Sequence, residues 1–250
     1  MSLPRFYIPP ADWNPEQPCL REAEAHHCTD VLRLRTGDEL IVFDGRGHEI
    51  QGTVVEVGRE LVTLTPRLSN STPPLDTRLT LVQAIPKGKN MDLIVQKATE
   101  LGVNTIAPVI SQRTVVRMDR AESVRKQAKW QRVAIEAAKQ CGQNWLPEVL
   151  VPQPLEAALQ QLEPHPLKLI AALEIDAQPM RDVVAAARGE GGSLPSGALI
   201  CIGPEGDFTP AEANAARSLG CQPVTLGPII LRTETAAIYC LSVLNYELRG

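Results

Sequence analysis

Long hydrophobic runs are missing from this chain of 250 residues. No window approaches 18 consecutive apolar residues, so no transmembrane helix is expected. The opening "MSLPRFYIPPADW" lacks the apolar segment of a signal peptide, and we therefore expect a cytoplasmic protein with no membrane partner. Aromatic residues are scarce, at 4%, whereas 44% of all residues are hydrophobic. A sizeable core must therefore be built from Leu, Val, Ile and Ala.

Paired cysteines are also absent. The six cysteines are scattered, and none belongs to a C-x-x-C pair. Cys201, Cys221 and Cys240 lie inside apolar segments, which indicates buried free thiols in a reducing cytoplasm. The run 26–28 holds two histidines and a cysteine, but contiguous residues have poor geometry for chelating one ion. No metal site is expected.

The chain has no excess of positive charge, since its formal net charge is −4. Binding to nucleic acid would therefore need a local basic patch. Between residues 113 and 139 the basic residues exceed the acidic ones by five: Arg113, Arg117, Arg120, Arg125, Lys126, Lys129, Arg132 and Lys139 stand against Asp119, Glu122 and Glu136. The alternative interpretation of this segment is the solvated face of a long helix.

The first seventy residues alternate between apolar and polar positions and are interrupted by glycines, as in "ELIVFDGRGHEIQGTVVEVGRELVTLTP". This pattern predicts a small β-barrel of antiparallel strands, with one short helix around "REAEAHHCTDVLRL". "RLSNSTPPLDTR", residues 67–78, is the best linker candidate. We predict a β-barrel domain over 1–72 and a second domain over 73–250.

Strands and helices alternate in the second domain, and its strands are continuous apolar runs. This predicts an α/β fold with a parallel sheet and helices on both faces. The predicted strands are 78–85, 103–110, 167–173, 198–202 and 222–226. The predicted helices are 90–102, 119–142, 154–162, 179–188, 209–220 and 233–248.

The segment "ALICIGPEGDFTPAE" joins a buried strand to a helix. The strand ends at Ile202, a tight turn follows over 203–206, and Thr209 and Glu212 form a capping box. Ligands of open α/β sheets bind at such strand ends. The dinucleotide fingerprint G-x-G-x-x-G is missing, and Gly88-Lys89 lacks the upstream glycine of a P-loop. The turn therefore predicts close approach of the backbone to a flat or amide-like ligand group, or is a plain tight turn.

Two further segments end in the same manner. In "LGPIILRTETA" a strand is broken by Gly227-Pro228 and leads into the last helix, and in "IAALEID" Leu173 and Glu174 follow a buried strand. Because the carboxyl ends of parallel strands share one edge of a sheet, three loops could enclose a small cofactor. Their convergence is more specific than any single loop.

The same residues carry a resemblance to a known family. "IGPEGDF" and "LGPIILRTETA" resemble the bacterial small-subunit rRNA uridine-N3 methyltransferases of the SPOUT superfamily. The resemblance covers nearly the whole chain, because similar segments recur in the order and spacing of that family: "RFYIP", "HHCTDVLRLRTGDEL", "FDGRGHEI", "IPKGKNMDLIVQKATELGV" and "KWQRVAIEAAKQCG".

The resemblance implies an RNA-binding, PUA-like N-terminal β-barrel and a SPOUT methyltransferase domain over 73–250 with a C-terminal trefoil knot that holds S-adenosylmethionine. It also implies a homodimer that methylates N3 of a uridine in 16S rRNA, with the assembled small subunit as the expected substrate. Carried onto this sequence, the cofactor-binding residues are Leu173, Glu174, Ile202, Gly203, Pro204, Glu205, Gly206, Leu226, Gly227, Ile230, Leu231, Thr233, Thr235 and Ala236.

Candidate RNA-binding residues are the cations of the barrel and of two loops in the second domain: Arg5, Arg33, Arg35, Arg46, Lys87, Lys89 and Arg113. Phosphate contacts of this kind make binding steeply dependent on salt. Three positions depart from the pattern of the family. Asp207 stands in place of a second glycine, and Ile229 and Gln143 stand where arginine is frequent. These departures affect the electrostatics near the RNA more than the cofactor loops.

Uridine N3 carries a proton between two carbonyl groups, and its loss spreads negative charge onto both oxygens. A fixed cation near these oxygens lowers the barrier, and a carboxylate or water can take the proton. Arg232 and Glu234 are the candidate catalytic pair. Arg232 would stabilise the uracil oxygens or a phosphate, or be a structural ion pair. Glu234 would act as the base, orient Arg232, or complement the dipole of the helix that it begins. Glu205 would balance the sulfonium charge or hold a backbone amide.

Two alternative functions stay open. One is a SPOUT methyltransferase that acts on another rRNA base or on tRNA. The other is a non-catalytic RNA-binding scaffold that keeps the fold and does not bind S-adenosylmethionine.

Overall fold

The computed structural model describes residues 3–114, 118–174, 176–189 and 192–249. The chain forms two units. The first contains Met1–Pro74 and Ile135–Leu146, and the second contains Leu75–Ala134 and Pro147–Gly250. Val115, Val116 and Arg117 lie outside the described residues, so the predicted basic segment is described without Arg117.

The first unit is a five-stranded curled sheet with the strand order β1-β3-β4-β5-β2. β1 and β3 are parallel, and the other neighbours are antiparallel. Helix α1 continues as one π-helical turn over His27–Val31, as the sequence predicts for a short helix here. The elements are β1 Arg5–Tyr7, β2 Cys19–Arg21, α1 Glu22–His26, β3 Glu39–Phe43, β4 His48–Val57 and β5 Leu61–Ser71.

Strand β5 extends into the predicted linker, so the linker prediction is wrong over residues 67–71. His48 pairs with Ser71 and Ile50 pairs with Ser69. The Ser and Asn residues of this segment belong to the exposed end of a strand. Their backbone N–H and C=O groups pair with those of β4, which does not depend on the side chains. Two irregularities in the β4–β5 register add local bends to the sheet.

The segment 135–146 belongs to the first unit, although the sequence boundary at residue 72 leaves it in the second domain. Lys139 is 8% exposed and donates to a Glu24 oxygen at 2.8 Å. Arg5 donates to Asn144 Oδ1 at 2.5 Å, and Trp145 Nε1 donates to the carbonyl oxygen of Thr72 at 2.8 Å. These polar contacts join residues far apart in the chain, which local sequence patterns do not reveal.

The second unit is built on an eight-stranded sheet in which every described pairing is parallel. The strand order is β11-β13-β10-β12-β6-β7-β8, and β9 also pairs with β7. The strands are β6 Arg78–Ala84, β7 Thr105–Ile110, β8 Glu148–Val149, β9 Gln153–Pro154, β10 Leu167–Ala171, β11 Gln178–Pro179, β12 Gly197–Ile202 and β13 Gln222–Thr225. The helices are α2 Asn90–Glu100, α3 Arg120–Cys141, α4 Leu155–Gln161, α5 Met180–Ala186, α6 Pro210–Ser218 and α7 Thr233–Arg249.

Helices cover both faces of this sheet. Ala158 of α4 and Ala213 of α6 share a buried cluster with Val82 of β6. Side chains alternate along a strand, so Gln83 points to the other face, where it donates to Thr233 of α7. The predicted parallel α/β fold is confirmed, including its five longer strands and all six predicted helices. The two-residue strands β8, β9 and β11 were not predicted because they are too short to show a pattern.

The six cysteines are free thiols. Burial raises the pKa of Cys28 to about 11 and that of Cys240 to about 12, which keeps both protonated and unreactive. In the described part of the chain, no three His, Cys, Asp or Glu side chains gather as a metal site requires. None of the described helices has the length and hydropathy to cross a membrane.

Arg249, at the end of α7, forms hydrogen bonds with residues that precede strands β6 and β7. Its guanidinium donates to the carbonyl oxygens of Thr77 and Gly102, at 2.5 Å and 2.8 Å, and to Asn104 Oδ1 at 3.1 Å. Burial of this cation lowers its pKa to about 10. We expect Arg249→Met to lower the free energy of unfolding by about 2–4 kcal/mol, because half-buried acceptors lose a charged donor.

Denaturant unfolding measures this loss. Arg181→Met is the matched control, since Arg181 is exposed on α5 and, among the residues that the structure describes, forms an ion pair only with its neighbour Asp182. Equal stability of the two variants would contradict the role of Arg249.

His165 gives stability a dependence on pH. Its Nδ1 donates to the carbonyl oxygen of Glu163 at 2.7 Å, and its Nε2 lies 2.9 Å from Thr80 Oγ1. Burial lowers the pKa of His165 below its ordinary value of about 6.5. As the pH falls below 6.5 the unfolded chain takes up the proton first, so the folded state loses stability until the lower folded pKa is passed. We expect His165→Gln to lose less stability than the unaltered protein between pH 7.5 and pH 5, measured by urea unfolding.

Candidate functional site

The loops that follow β10, β12 and β13 meet at one edge of the parallel sheet, because β10 lies between the other two strands. Together with the start of α7 they enclose a cavity of about 260 Å³. The lining residues are mostly apolar or contribute backbone: Ala171, Ala172, Leu173, Ile202, Gly203, Pro204, Glu205, Asp207, Thr225, Leu226, Gly227, Ile229, Ile230, Leu231, Arg232, Thr233 and Ala236.

The cavity therefore gathers most of the residues that the sequence assigns to cofactor binding. Of that set, Glu174, Gly206 and Thr235 are not among the lining residues. Of the predicted catalytic pair, Arg232 lines the cavity and Glu234 does not. The three loops meet at one edge of the sheet, as the strand ends predict. Whether these residues bind the cofactor stays a prediction.

Glu174 takes part in an ion-pair cluster beside the cavity. Its carboxylate contacts the Arg217 guanidinium, which also donates to both oxygens of Asp176 at 2.9 Å and 3.0 Å. The hydrogen bonds from Arg217 lower the pKa of Asp176. Arg217 belongs to α6, so this cluster joins the loop after β10 to the helix after β12. Arg217 could not be identified as part of the site from the sequence, because a lone arginine on a helix carries no motif.

Asp207 links two walls of the cavity. Its backbone has a φ of 62°, in the left-handed region where the resemblance expects glycine. Aspartate is one of the few other residues that adopt this conformation. Its Oδ1 accepts from the N–H of Phe208 at 2.7 Å, and its Oδ2 accepts from the N–H of Leu173 at 3.3 Å. The departure from the family pattern therefore adds a contact between the loops after β12 and β10.

A buried hydrogen-bond chain ties α7 to the turn after β12. Gln83 Nε2 donates to Thr233 Oγ1 at 3.0 Å, and that hydroxyl donates to the carbonyl oxygen of Gly203 at 2.7 Å. Gln83 is 0% exposed and Thr233 is 5% exposed. This contact was not predicted, although a single glutamine within the apolar strand "RLTLVQAI" is a sequence signal of it.

Two glycines of the cavity are required for different reasons. A Cβ atom on Gly203 would lie 2.9 Å from Asp207 Oδ1 and 3.1 Å from the backbone nitrogen of Phe208, so the turn has no space for a side chain. Gly227 has space, with no atom within 4 Å of such a Cβ, but its φ is 120°. Residues with a side chain rarely adopt that conformation. The turn over 203–206 and the loop after β13 thus depend on glycine.

Arg232 and Glu234 differ in environment. Arg232 is exposed at the cavity, and its guanidinium has no hydrogen bond or ion pair within the part of the chain that the structure describes. Glu234 is half-buried in the first turn of α7, where a carboxylate complements the helix dipole. No ion pair joins the two side chains in the described ranges, so the structure gives no support to an orienting contact between them.

The predicted RNA-binding residues also separate into two groups. Arg5 is occupied, since it donates to a Glu49 oxygen at 2.7 Å and lies 5.0 Å from the centre of the Phe43 ring. Burial by itself raises the pKa of Glu49. Hydrogen bonds from Arg5, Asn70 and Asn144 together outweigh burial, so the net shift of this pKa is downward. The other predicted residues are exposed: Arg33, Arg35, Arg46, Lys87, Lys89 and Arg113.

Fewer cations of α3 are available to bind RNA than the sequence suggests, because two of its lysines have acidic partners in the fold. Lys139 is buried between Glu24 and Glu136, and Lys129 donates to both oxygens of Asp92 at 2.8 Å and 2.5 Å. The cations of α3 that have no described acidic partner are Arg120, Arg125, Lys126 and Arg132, and all except Lys126 are exposed.

Two family models match the chain. The model for an RNA methyltransferase domain matches residues 73–245, and the model for an RNA methyltransferase PUA domain matches residues 20–67. The chain is 33% identical to ribosomal RNA small subunit methyltransferase E of Bacillus subtilis, over 91% of this chain and 90% of that protein. It is 32% identical to the protein of the same name from Aquifex aeolicus, over 90% and 92%.

Solved structures show the same similarity. The ribosomal RNA small subunit methyltransferase E of Neisseria gonorrhoeae, solved with bound S-adenosyl methionine, has a TM-score of 0.83 and 31% identity, with 98% of each chain covered. A protein from Legionella pneumophila, solved with bound SAM, has a TM-score of 0.86 and 31% identity over 98% of each chain.

The parallel sheet with its loop-built cavity, and the PUA-like unit that precedes it, define an RNA methyltransferase. Within that class, the chain belongs to the ribosomal RNA small subunit methyltransferase E family.

Proposed function

We propose that this protein transfers a methyl group from S-adenosylmethionine to N3 of a uridine in the 16S rRNA of the small ribosomal subunit. The observation that carries this proposal is the cavity at the ends of β10, β12 and β13, in a chain whose family includes a member solved with that cofactor. The choice of uridine N3 rests on the resemblance of "IGPEGDF" and "LGPIILRTETA" to the uridine-N3 enzymes.

The lining residues suit S-adenosylmethionine, which supplies the methyl group when it is bound. Leu173, Ile202 and Leu226 offer apolar walls for the adenine ring, and Gly227 leaves backbone without a side chain beside the ligand. Glu205 and Asp207 also line the cavity, and their negative charge favours a ligand with a positive sulfonium. We assign the cofactor to these residues together with the other predicted residues that line the cavity.

Arg232 is our candidate for the residue that contacts the uracil. Loss of the N3 proton places negative charge on the two carbonyl oxygens of the base, and a fixed guanidinium stabilises that charge as it develops. An arginine without an acidic partner keeps its donors available for this role. Holding donor and acceptor in line also contributes, and such alignment can supply about 7–11 kcal/mol.

Glu234 fits the start of α7 better than catalysis. It lies two residues from Arg232 but outside the cavity lining, and its carboxylate sits in the first helical turn. The proton of N3 would then pass to water or to another carboxylate at the cavity. A direct role of Glu234 as the base stays a prediction, which Glu234→Gln tests by its effect on the rate.

The partners follow from the same proposal. The exposed arginines of the PUA-like unit and the cations near the cavity would contact rRNA phosphates. Work on a ribosomal subunit would place the protein in the cytoplasm. We also propose a homodimer, since α7 exposes Tyr239 at 45% and Tyr246 at 76%. We also propose that the C-terminal segment forms a trefoil knot, as the resemblance implies.

The function is tested with small subunits purified from a strain that lacks this gene. Incubation with the protein and S-adenosylmethionine should yield 3-methyluridine in the digested 16S rRNA, identified by mass. Another methylated nucleoside, or methylation of free tRNA alone, would favour a different SPOUT activity. Absence of S-adenosylmethionine binding at millimolar concentration, measured by calorimetry, would favour the non-catalytic scaffold.

A further inference from the structure

Two basic loops lie next to the wall of the cavity that follows β12. β12 pairs with β6, and β6 pairs with β7, all in parallel. The loops after these three strands therefore leave the same edge of the sheet. The loop after β6 carries Lys87 and Lys89, and the loop after β7 carries Arg113. All three cations are predicted RNA contacts.

Glu205 joins the cavity wall to the first basic loop. Its Oε1 accepts a hydrogen bond from the backbone N–H of Lys87 at 2.9 Å. The sequence suggests two roles for Glu205, and one of them is to hold a backbone amide. The carboxylate does hold such an amide, but the amide belongs to Lys87 in another loop. The bond fixes the backbone of Lys87 and leaves its exposed ammonium group free to reach a phosphate.

Arg113 joins the wall to the second basic loop. Its Nη1 donates to the carbonyl oxygen of Gly206 at 2.5 Å and to that of Phe208 at 3.4 Å. The guanidinium thus holds the backbone of the turn after β12, and its donors are partly occupied in doing so. A positioning role explains this geometry better than a phosphate contact does.

A third bond runs in parallel with these two. Glu212 Oε1 accepts from the backbone N–H of Gln112 at 2.8 Å, while its Oε2 accepts from the N–H of Thr209 at 2.9 Å. Thr209 and Glu212 form the capping box that starts α6. The basic loops and the wall of the cavity are therefore one hydrogen-bonded assembly.

We propose that Glu205 and Arg113 are positioning residues that couple the binding of cofactor in the cavity to the binding of RNA at the loop that carries Lys87 and Lys89: Glu205 joins that loop to the cavity wall, and Arg113 holds the wall in place. This inference rests on the proposed function. A ligand that orders the wall over 203–209 also orders Lys87, and RNA that holds Lys87 also holds Glu205. Each ligand must then raise the affinity for the other by the same factor.

The test uses S-adenosylhomocysteine as the probe, because its sulfur carries no charge and attraction of a carboxylate to a sulfonium cannot account for the result. Its dissociation constant is measured with and without saturating small subunits that lack the methyl group. The ratio of the two constants is the coupling factor. Taking a ratio removes any change in intrinsic cofactor affinity that a substitution at the cavity causes.

Six variants and the unaltered protein are compared. Glu205→Ala and Arg113→Ala remove the bonds. Glu205→Gln keeps an acceptor for the Lys87 amide, and Arg113→Lys keeps one donor. Glu156→Ala on α4 and Arg181→Ala on α5 are matched controls, since both residues are exposed and neither lines the cavity.

We expect a coupling factor of about tenfold or more in the unaltered protein and in both controls. Glu205→Ala and Arg113→Ala should lower it to about twofold or less, whereas Glu205→Gln should keep most of it and Arg113→Lys part of it. A factor near one in the unaltered protein, or an unchanged factor in both alanine variants, would overturn the inference. If the unaltered protein binds neither S-adenosylhomocysteine nor subunits, the proposed function itself fails, which is a distinguishable result.

Discussion

Arg232→Ala should lower the rate of methyl transfer to small subunits by about 100- to 1,000-fold, the loss found when one donor to a developing oxyanion is removed. Arg232 lines the cavity, is exposed, and has no partner in the described chain that would already use its charge. Removing it should therefore leave folding intact. The rate is measured under single-turnover conditions, so that product release does not hide the chemical step.

The controls decide between a catalytic and a structural role for Arg232. The melting temperature and the affinity for S-adenosylhomocysteine should stay unchanged in Arg232→Ala, and Arg232→Lys should recover part of the rate because it keeps a positive charge. Arg181→Ala, on the exposed surface of α5, should behave as the unaltered protein does. Full activity of Arg232→Ala would exclude Arg232 from the reaction.

Gly227→Ala should lower the affinity for S-adenosylmethionine at least about tenfold. A side chain at a φ of 120° costs about 1–3 kcal/mol, and the loop would relieve this strain by moving residues such as Leu226 that line the cavity. The affinity is measured by calorimetry. The free energy of unfolding should fall by a similar 1–3 kcal/mol.

Gly220→Ala is a control that distinguishes the effect of backbone strain from the effect of a position at the cavity. Gly220 has a φ of 92°, and the nearest side-chain atom would lie 4.0 Å from its Cβ, so the substitution is comparably strained. It precedes β13, whereas Gly227 follows that strand, and the two glycines therefore stand at opposite edges of the sheet. We expect Gly220→Ala to lose stability and to keep its cofactor affinity. Equal losses of affinity in the two variants would contradict the role of the loop after β13.

The fold of the second unit could be predicted because strong local patterns agree with one another. Apolar strands such as "ALICI" and a capping box at Thr209 mark where each element begins and ends, and alternation of strands and helices implies a parallel sheet. The cavity follows from the same information, since strand ends determine where loops go. Strand order cannot be deduced in this way, because it depends on pairings between distant segments.

The features that sequence did not reveal are polar contacts over long distances in the chain. Lys139 is counted as a basic surface residue in the sequence, and becomes a buried partner of Glu24 only in the fold. Glu174 faces Arg217, and Asp207 adopts a left-handed backbone that its residue type permits but does not require. Side-chain chemistry fixes what each group can bind, whereas tertiary structure determines which partner it meets.

The strand order also has a consequence for synthesis of the protein on the ribosome. β10 pairs only with β12 and β13 in the described sheet, and both follow it in the chain. A nascent chain that has emerged as far as Ala171 therefore holds one wall of the cavity without the strands that support it. Such non-local pairing slows folding. Thr233 and Ala236 of α7 line the same cavity, so the cavity is complete only after β12, β13 and the start of α7 have been added to the folded chain.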